Sequence, residues 1–520
     1  MTQPIGIDLG TTNSVMAHCI DGEPTILRNH NGHRTTPSVV MLDTEGFVVG
    51  QQAQNQLLSQ PHRTVASVKR QMGNETEISL GPESFTPVEI SSALLSYLKE
   101  SAEQALEASV RQAVITVPAY FDHRQRIATR EAAQLAGLDV LRIMNEPTAA
   151  CLPYGLRERG NETTVLVYDL GGGTFDISVI DVSDGIFDVL GTDGDDQLGG
   201  DDFDGAIVHW LLERLEAEYH VTVPEPLPLV LEERLFDAAR EAKHDLSSRQ
   251  STDIQIPFLE VGQTTVTVEE SLSRETFELM NQQRLQRTIE ISTQLWNTIG
   301  HGKPDEILLV GGSTRMPMVQ AALEDAFGIS PRSGVRTDEA VARGAAIQAR
   351  LLAHQALPNE SGSAAALPSV PGGGDDNIVL IDSTPKALGV EVYENGTDNL
   401  IFSEIIPAHD SIPAQNTRDE YFTRHDNQEY ADVTVMQSKT ASLEDAEELD
   451  TFTFGPLPKR PAGEVEFSVT FTLTEDGTLH VEIADSEDFA KKDIEITSTV
   501  ETSPSELEEM KRSLPAVSNV

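Results

Sequence analysis

The sequence predicts an α/β domain of two related lobes, followed by a spacer, an antiparallel β-sandwich and a short helical tail. Three observations predict this architecture. Apolar β-rich runs alternate with helical patterns up to about residue 354, one strand–turn–strand pattern occurs twice in that stretch, and period-two patterns dominate after residue 388. Because 520 residues are far more than one ordinary domain contains, we expect at least two separate cores, and a hydrophobic fraction of 39% is enough to fill them.

The repeated pattern is the strongest indication of two lobes. The apolar run 5–7 leads into Asp8-Leu-Gly-Thr-Thr12, and the apolar run 165–168 leads into Asp169-Leu-Gly-Gly-Gly-Thr174, with a further strand after each. Between them lie strand-like runs such as 114–117 and helical patterns such as 124–136. An internal repeat of this kind predicts two related lobes that face each other.

Composition changes abruptly after the α/β part. Residues 355–377 are mostly Pro, Gly, Ser and Ala, which predicts a flexible spacer, and the apolar segment 378–385 follows. Strands with period two, such as 432–436, 465–471 and 479–483, predict the sandwich over 386–500. One short helix, 503–514, is predicted within the final segment 501–520.

Charge and composition limit the partners. The chain has 37 basic and 84 acidic residues and a net charge of −47, so nucleic acid and anionic membranes are not expected as partners. A surface of this kind suits a cytoplasm of very high salt, where screening removes self-repulsion. Cys19 and Cys151 are expected to be buried, inert thiols. No signal peptide or membrane span is predicted, and we expect a cytoplasmic protein.

The two glycine turns predict a phosphate clamp. Each joins two strands, so it is a hairpin, and its glycines allow backbone N–H groups to converge on an anion while threonine hydroxyls add donors. Asp8 and Asp169 would repel phosphate unless a divalent cation lay between, and Mg²⁺ suits few direct carboxylates and several waters. A single turn of this kind is weak evidence, but two matching copies favour nucleotide binding.

Two further features support that site. The turn Gly311-Gly-Ser-Thr-Arg315 follows a strand and leads into a helix, and Arg315 is placed to lie against a base. Lys69 is the only lysine before Lys99 in a lysine-poor chain. A phosphate-binding charge is one explanation for Lys69, and an ordinary surface lysine is the alternative.

In combination, these motifs resemble the heat-shock protein 70 chaperone family of DnaK type. The resemblance extends from the first residues to about Val500, and the short C-terminal part resembles the compact branch typified by bacterial HscC. The motifs that carry it are Ile7-Asp-Leu-Gly-Thr-Thr-Asn-Ser14, Arg34-Thr-Thr-Pro-Ser38, Val117-Pro-Ala-Tyr-Phe121, Asn145-Glu-Pro-Thr-Ala-Ala150, Tyr168-Asp-Leu-Gly-Gly-Gly-Thr-Phe-Asp176, Leu198-Gly-Gly-Asp-Asp-Phe-Asp204, Leu309-Val-Gly-Gly-Ser-Thr-Arg-Met-Pro317 and Asp338-Glu-Ala-Val-Ala342.

The resemblance implies an actin-like ATPase domain of two duplicated RNase H-like lobes over residues 1–354, with ATP or ADP and Mg²⁺ as ligands and K⁺ as a further candidate ion. Asp8 and Asp169 would hold Mg²⁺ through water, and Lys69, Glu146, Thr174 and Asp176 would line the hydrolytic site. The implied nucleotide-binding residues are Gly10, Thr11, Thr12, Asn13, Gly171, Gly172, Gly173, Thr174, Gly200, Lys243, His244, Ser247, Gly311, Gly312, Ser313, Arg315 and Asp338.

The adenosine pocket departs from the family pattern. Arg240 stands where a glutamate that contacts ribose is usual, and His244 stands where an arginine or lysine stacks on adenine. His244 still offers a stacking surface, but Arg240 cannot accept a hydrogen bond from ribose. We therefore expect weaker nucleotide binding than is typical of the family, unless the neighbouring Glu241 replaces the missing acceptor.

The resemblance also implies coupling between nucleotide and peptide. Pro118, Arg126, Leu380, Ile381 and Asp382 match the family's coupling positions, and residues 378–385 match its interdomain linker. The sandwich would bind extended apolar peptides, with a short helix in place of the long lid. Its candidate contacts are Leu400, Ile401, Phe402, Ile405, Ile406 and Val433, and an ordinary role in the sandwich core is the alternative for each.

The implied activity is that of an ATP-dependent chaperone, with a J-domain co-chaperone as partner and the need for an exchange factor left open. One alternative is an ATP-switched regulatory module with a few dedicated clients, which the reduced lid favours. A small-molecule kinase on the same core is a second alternative, against which the sandwich and linker argue. A filament-forming relative of actin is the least favoured, because a fifth of the chain forms a second domain.

Overall fold

The computed structural model describes residues 3–74, 76–155, 162–299, 302–332, 336–355, 378–394, 397–475, 477–485, 491–495 and 510–518. Residues 3–155 form lobe I. Its strands and helices are β1 (Ile5–Asp8), β2 (Asn13–Ile20), β3 (Glu23–Ile26), β4 (Thr36–Pro37), β5 (Val39–Asp43), β6 (Gly46–Val49), α1 (Gln51–Gln54), β7 (Thr64–Ala66), β8 (Ile78–Leu80), β9 (Glu83–Phe85), α2 (Pro87–Leu106), β10 (Gln112–Val117), α3 (His123–Leu135), β11 (Asp139–Asn145) and α4 (Glu146–Gly155), with short 3-10 turns at Pro61–Arg63 and Val68–Gln71.

The central sheet of lobe I has the order β11-β10-β1-β2-β3, with β1 parallel to β10 and antiparallel to β2. A second sheet joins β5, β6 and β7. Two helices begin where local sequence dictates, because Thr86 with Glu89 and Asp122 with Gln125 form capping boxes at the starts of α2 and α3.

Lobe II comprises the described residues from 162 to 355. Its elements are β12 (Thr163–Leu170), β13 (Phe175–Ser183), β14 (Ile186–Asp195), α5 (Gly200–Ala217), α6 (Leu229–Leu246), β15 (Ser251–Val261), β16 (Thr264–Ser273), α7 (Arg274–Met280), α8 (Gln282–Ile299), β17 (Glu306–Val310), α9 (Pro317–Phe327) and α10 (Ala340–Gln355), with a 3-10 turn at Gly312–Arg315.

The predicted duplication is visible in the strand orders. Lobe II has β17-β12-β13-β14 where lobe I has β10-β1-β2-β3. In both orders the second strand is parallel to the first and antiparallel to the third. Helices α4 and α10 pack against each other, and α10 also packs on β1 and β2. The lobes are therefore joined along these two helices, and the glycine turns after β1 and β12 face one another.

The remaining strands are β18 (Val379–Ser383), β19 (Ala387–Tyr393), β20 (Leu400–Ile406), β21 (Ser411–Ile412), β22 (Ala414–Phe422), β23 (Ala431–Ser438), β24 (Ala446–Phe454), β25 (Glu466–Leu473), β26 (Leu479–Asp485), β27 (Lys491–Glu495) and β28 (Val517–Ser518), with a 3-10 turn at Leu443–Asp445. Two antiparallel sheets, β20-β19-β23-β24 and β22-β25-β26-β27, pack around one apolar core and form the sandwich. The predicted α/β plus β fold class is confirmed.

The segments before and after the sandwich each add a strand to a sheet of the lobes. Strand β18 lies in the segment that the sequence gives as a linker, and it pairs in parallel with β14 of lobe II and antiparallel with β21. At the C-terminus, residues 510–513 are helical, whereas the predicted helix start at 503 and the spacer from 356 to 377 lie outside the described residues. Strand β28 then pairs with β6 of lobe I, which nothing in the sequence indicated.

Candidate active site

The two glycine turns meet in a cleft of about 610 Å³ between the lobes. A side chain at Gly172 would collide with Thr12, and one at Gly173 would press on Thr11. Glycine is therefore required where the turn of lobe II approaches the turn of lobe I. The structure thus brings the two copies of the predicted motif into direct contact.

Most predicted site residues line this one cleft. They are Asp8, Gly10, Thr11, Thr12, Asn13, Lys69, Glu146, Asp169, Gly171, Gly172, Thr174, Lys243, His244, Ser247, Gly311, Gly312, Ser313, Arg315 and Asp338. Gly173, Asp176 and Gly200 lie directly behind its wall. Asp176 faces Asp169 across the β12–β13 pair, and the Gly200 backbone N–H donates to the Gly171 carbonyl at 3.0 Å.

A group of buried carboxyl groups forms the floor of the cleft. Burial and the nearby Glu146 raise the pKa of Asp8 to about 8 and that of Asp176 to about 7, and both causes also raise the pKa of Asp169. Lys69 opposes these shifts. It is buried, forms an ion pair with Glu146, and lies 5.6 Å from the centre of the Phe121 ring.

These carboxyl groups fit a hydrated divalent cation. Asp176 accepts a hydrogen bond from the Tyr120 backbone N–H at 2.9 Å through Oδ1, while its buried Oδ2 has no hydrogen-bond partner among the described residues. Within the same part of the chain, no three or more His, Cys, Asp or Glu side chains converge as a direct metal-binding group. An ion held mainly through water is therefore the arrangement that this donor set suits.

The third glycine turn closes the cleft beside β12. Gly311 has φ +81°, and a side chain there would collide with the Leu170 carbonyl, so only glycine is tolerated without strain. The Ser313 hydroxyl donates to the Gly171 carbonyl at 2.8 Å. Arg315 forms an ion pair with Asp338, and both residues line this end of the cleft.

Helix α6 lines the same end of the cleft. Lys243 donates to the Gly200 carbonyl and to Asp204, both at 2.8 Å, and Arg240 lies 4.0 Å from the same aspartate. Desolvation and the neighbouring cations, Lys243 first among them, lower the pKa of His244, which favours the neutral ring. Arg240 lines the cleft, whereas Glu241 is exposed and lies outside the cleft lining. The substitute acceptor considered from the sequence is therefore not in place.

Comparison with known proteins agrees with this geometry. The family model "Hsp70 protein" matches residues 4–80 and 75–518. A protein named "Chaperone protein DnaK" from Halobacterium salinarum is 40% identical over 516 residues, which is 98% of this chain and 78% of that protein. Proteins of the same name from Thermosipho africanus and Thermosipho melanesiensis are 41% and 40% identical over 487 residues, which is 92% of this chain and 77% and 78% of theirs.

The chain belongs to the Hsp70 family. It is accordingly an ATP-dependent chaperone and an ATPase, as the motifs implied. The finer assignment to the HscC branch stays a prediction. Among the described residues, no helix is both long and apolar enough to cross a membrane.

In this Hsp70 chain, two of the predicted coupling residues, Arg126 and Asp382, are joined through Asn145 by a path of hydrogen bonds. Pro118 is buried at the end of β10, and Arg126 donates to the Ala119 carbonyl and to Asn145 at 3.1 and 2.5 Å. The Asn145 amide in turn donates to both carboxylate oxygens of Asp382, at 2.9 and 3.0 Å. Asn145 directly precedes Glu146 of the cleft, so the path joins the linker strand to the active site.

Leu380 and Ile381 lie beside this path on β18, paired with Phe187 and Asp188 of β14. Sequence reasoning quoted Asn145 within a motif but gave it no role. Its position immediately before a candidate catalytic glutamate was the available signal. The side chain becomes informative only when Asp382, 237 positions further along the chain, lies against it.

Further contacts between the ATPase lobes and the sandwich were not predicted. We call them the docking surface. Its members are Arg124, which donates to the Glu448 carbonyl at 2.7 Å; Arg142, which donates to the Glu475 carbonyl at 3.1 Å; and Lys439, which pairs with Asp193 at 2.6 Å. Lys386 and Lys439 also lie 5.2 and 5.1 Å from the centre of the Tyr120 ring.

The predicted peptide contacts divide into two groups. Leu400 and Ile401, at the start of β20, are 39% and 41% exposed, and Phe402 is half-buried. Ile405 and Val433 are only 6% and 5% exposed and, with Ile406, belong to the sandwich core. The sequence left open an ordinary role in the sandwich core, and Ile405, Ile406 and Val433 have that role. Leu400 and Ile401 remain accessible candidates for peptide contact.

Proposed function

We propose that the cleft binds ATP with Mg²⁺ and that hydrolysis there controls the affinity of the sandwich for extended apolar peptides. Support comes from one observation above all: the two glycine turns converge on a cleft whose coupling path ends at the docked linker strand. Chaperones named DnaK over most of this chain's length support the same activity.

In this proposal the backbone N–H groups of Gly10–Asn13 and Gly171–Thr174 hold the β- and γ-phosphates. Asp8 and Asp169 would hold the Mg²⁺ through water, where it would supply positive charge against the phosphates. Lys69 adds a fixed positive charge, while Glu146, Asp176 and the Thr174 hydroxyl orient the attacking water. Phosphoryl transfer needs mainly charge stabilisation and positioning, which these side chains supply without covalent chemistry.

Adenosine is proposed to bind at the end of the cleft between the third glycine turn and α6, which we call the nucleoside end. The residues proposed to hold it are Lys243, His244, Ser247, Ser313 and Arg315. Arg240 offers donors and no acceptor, so ribose gains no hydrogen bond to this side chain. We therefore expect the dissociation constant of ADP to lie above one micromolar, and titration calorimetry measures it. Sub-micromolar binding contradicts this expectation.

The linker and sandwich convert the nucleotide state into peptide binding. Strand β18 adds to the edge of the lobe II sheet, and its Asp382 is held by Asn145. A strand that docks or leaves as a unit is a two-state element, and the nucleotide state biases it through Asn145 and Glu146.

A J-domain co-chaperone is the proposed partner, and K⁺ is a further proposed ion. The decisive measurement is steady-state ATPase activity in molar salt, with and without an apolar peptide and a J-domain protein. We expect each addition to raise the rate. A rate that responds to neither would contradict the coupling and leave a nucleotide-binding module. The alternative of a dedicated regulatory module is not favoured, because the relatives carry the general chaperone name.

A further inference from the structure

The segment 510–518 returns from the sandwich to lobe I. Its last strand, β28, runs parallel to β6, with Val517 opposite Phe47 and Ser518 opposite Val48. The Phe47 backbone N–H donates to the Ala516 carbonyl at 2.8 Å. The sheet β7-β5-β6 is thereby extended by one strand of the chain's own C-terminal segment.

The contact is apolar as well as hydrogen-bonded. Leu514 and Val517 are half-buried and pack against the core cluster of lobe I, and β28 also contacts α2. These two apolar side chains face lobe I, while Ser513, the last residue of the helical turn, is exposed. Two aliphatic side chains at the edge of a core stabilise a strand that its backbone hydrogen bonds alone would not hold.

The β6 edge is shaped to receive this strand. Gly46 has φ +137°, and a side chain there would collide with the carbonyl oxygen of Ala516. At that φ an L side chain is also strained. The backbone of lobe I and the backbone of the C-terminal segment therefore approach each other at a position where only glycine fits.

This contact attaches the part of the chain after the sandwich to lobe I, in addition to the linker strand and the docking surface. The linker strand β18 joins the sandwich to the edge of lobe II through β14, whereas β28 joins it to the edge of lobe I through β6. The lobes meet at the nucleotide cleft, so the two attachments span it. Any change in the angle between the lobes changes the distance between the two attachment points.

We propose that the β6 edge of lobe I is a docking site for residues 510–518 of the same chain, and that its occupancy holds the sandwich against the ATPase lobes. The segment acts as a strand latch, closed when β28 is paired and open when it leaves. The proposal depends on the β6–β28 contact and does not depend on the proposed mechanism of ATP hydrolysis.

Two variants test the latch from the side of the segment. Val517→Asp places a carboxylate against the lobe I cluster, and a chain that stops after residue 509 removes the strand without altering lobe I. Ser513→Asp is the matched control, because it adds the same charge at an exposed position of the same segment. Each protein is studied with ADP bound and with a slowly hydrolysed ATP analogue bound.

The first measurement is hydrogen exchange at the Phe47 amide. We expect exchange to become roughly tenfold faster in Val517→Asp and in the shortened chain, because the amide loses its acceptor, and to stay unchanged in Ser513→Asp. The second is the distance between sandwich and lobe I, measured by fluorescence energy transfer. We expect the docked fraction to fall in the same two variants only.

Unchanged exchange at Phe47 in both the shortened chain and Val517→Asp would overturn the latch. A docked fraction unaffected by loss of the segment would also overturn it, because the strand would then bind lobe I without holding the sandwich in place. Light scattering decides whether the segment acts within one chain. A dimer that becomes a monomer when the segment is removed would show pairing between two copies, contrary to the proposal.

Discussion

The nucleotide cleft and the docking surface both depend on charged side chains, but they differ in burial. In the cleft, the Lys69 and Glu146 side chains are 6% and 10% exposed. At the docking surface, the Lys439 and Asp193 side chains are 36% and 14% exposed. Exposed pairs contribute about 0–1 kcal/mol, whereas breaking a buried pair costs about 3–5 kcal/mol. The cleft is therefore sensitive to single substitutions, and most of the docking surface is not.

Loss of the buried lysine should have the largest effect. Lys69→Ala removes the charge that opposes the carboxyl groups, so we expect single-turnover hydrolysis to fall by at least about a hundredfold while nucleotide binding is kept. Rapid-quench measurement with enzyme in excess separates chemistry from binding. Lys303→Ala, at an exposed site outside the cleft lining, is the control. An unchanged rate would remove Lys69 from the mechanism.

The coupling path lies beside the docking surface and differs from it, because Asp382 is buried. Asp382→Ala leaves the Asn145 amide without its acceptor, at a cost of about 1–3 kcal/mol. We expect the linker to be cleaved by protease about tenfold faster and peptide stimulation of the ATPase to be lost, while basal hydrolysis continues.

Lys439→Ala, at the docking surface, provides the comparison with Asp382→Ala. Its exposed pair with Asp193 predicts a change of less than about 1 kcal/mol in linker docking. An equal effect of Lys439→Ala and Asp382→Ala would mean that burial does not separate the two kinds of contact.

A third variant tests the nucleoside end of the cleft. Arg240→Gln supplies a carbonyl acceptor for ribose without adding a carboxylate beside Asp204, so we expect ADP to bind about five- to tenfold more tightly. Arg234→Gln on the same helix is the control, since Arg234 donates to the Phe258 carbonyl and does not line the cleft. Equal affinities in titration calorimetry would show that Arg240 does not weaken binding.

The smallest expected effect is the release of protons when nucleotide binds. Asp8 and Asp176 have pKa values of about 8 and 7, above those of unfolded carboxyl groups, so the folded chain binds more protons and loses stability as pH rises from about 4 to about 8. Binding of Mg·ADP should ionise these groups and release about one proton or more at pH 7. Titration in two buffers of different ionisation heat measures this release. A binding heat that does not depend on the buffer would contradict it, and Asp8→Asn should reduce it.

Much of the cleft could be predicted because its residues come in short motifs. The turns after β1, β12 and β17 each combine glycines with Thr or Ser at fixed spacing, and local geometry dictates what such turns do with their N–H groups. The same holds for the fold class, since strand and helix periods are local. The docking surface had no such signal, because Arg124, Arg142 and Lys439 are single charges whose partners lie hundreds of positions away.

The sequence by itself determined the two lobes, the glycine turns, the candidate catalytic residues and the order of domains, because periodicity and turn chemistry act over a few neighbouring residues. Only the tertiary structure decided which partners meet. It placed Asn145 on Asp382, buried Ile405 and Val433 in the sandwich core, left Glu241 outside the cleft and returned β28 to β6. Pairings of this kind depend on long-range packing, which no local pattern encodes.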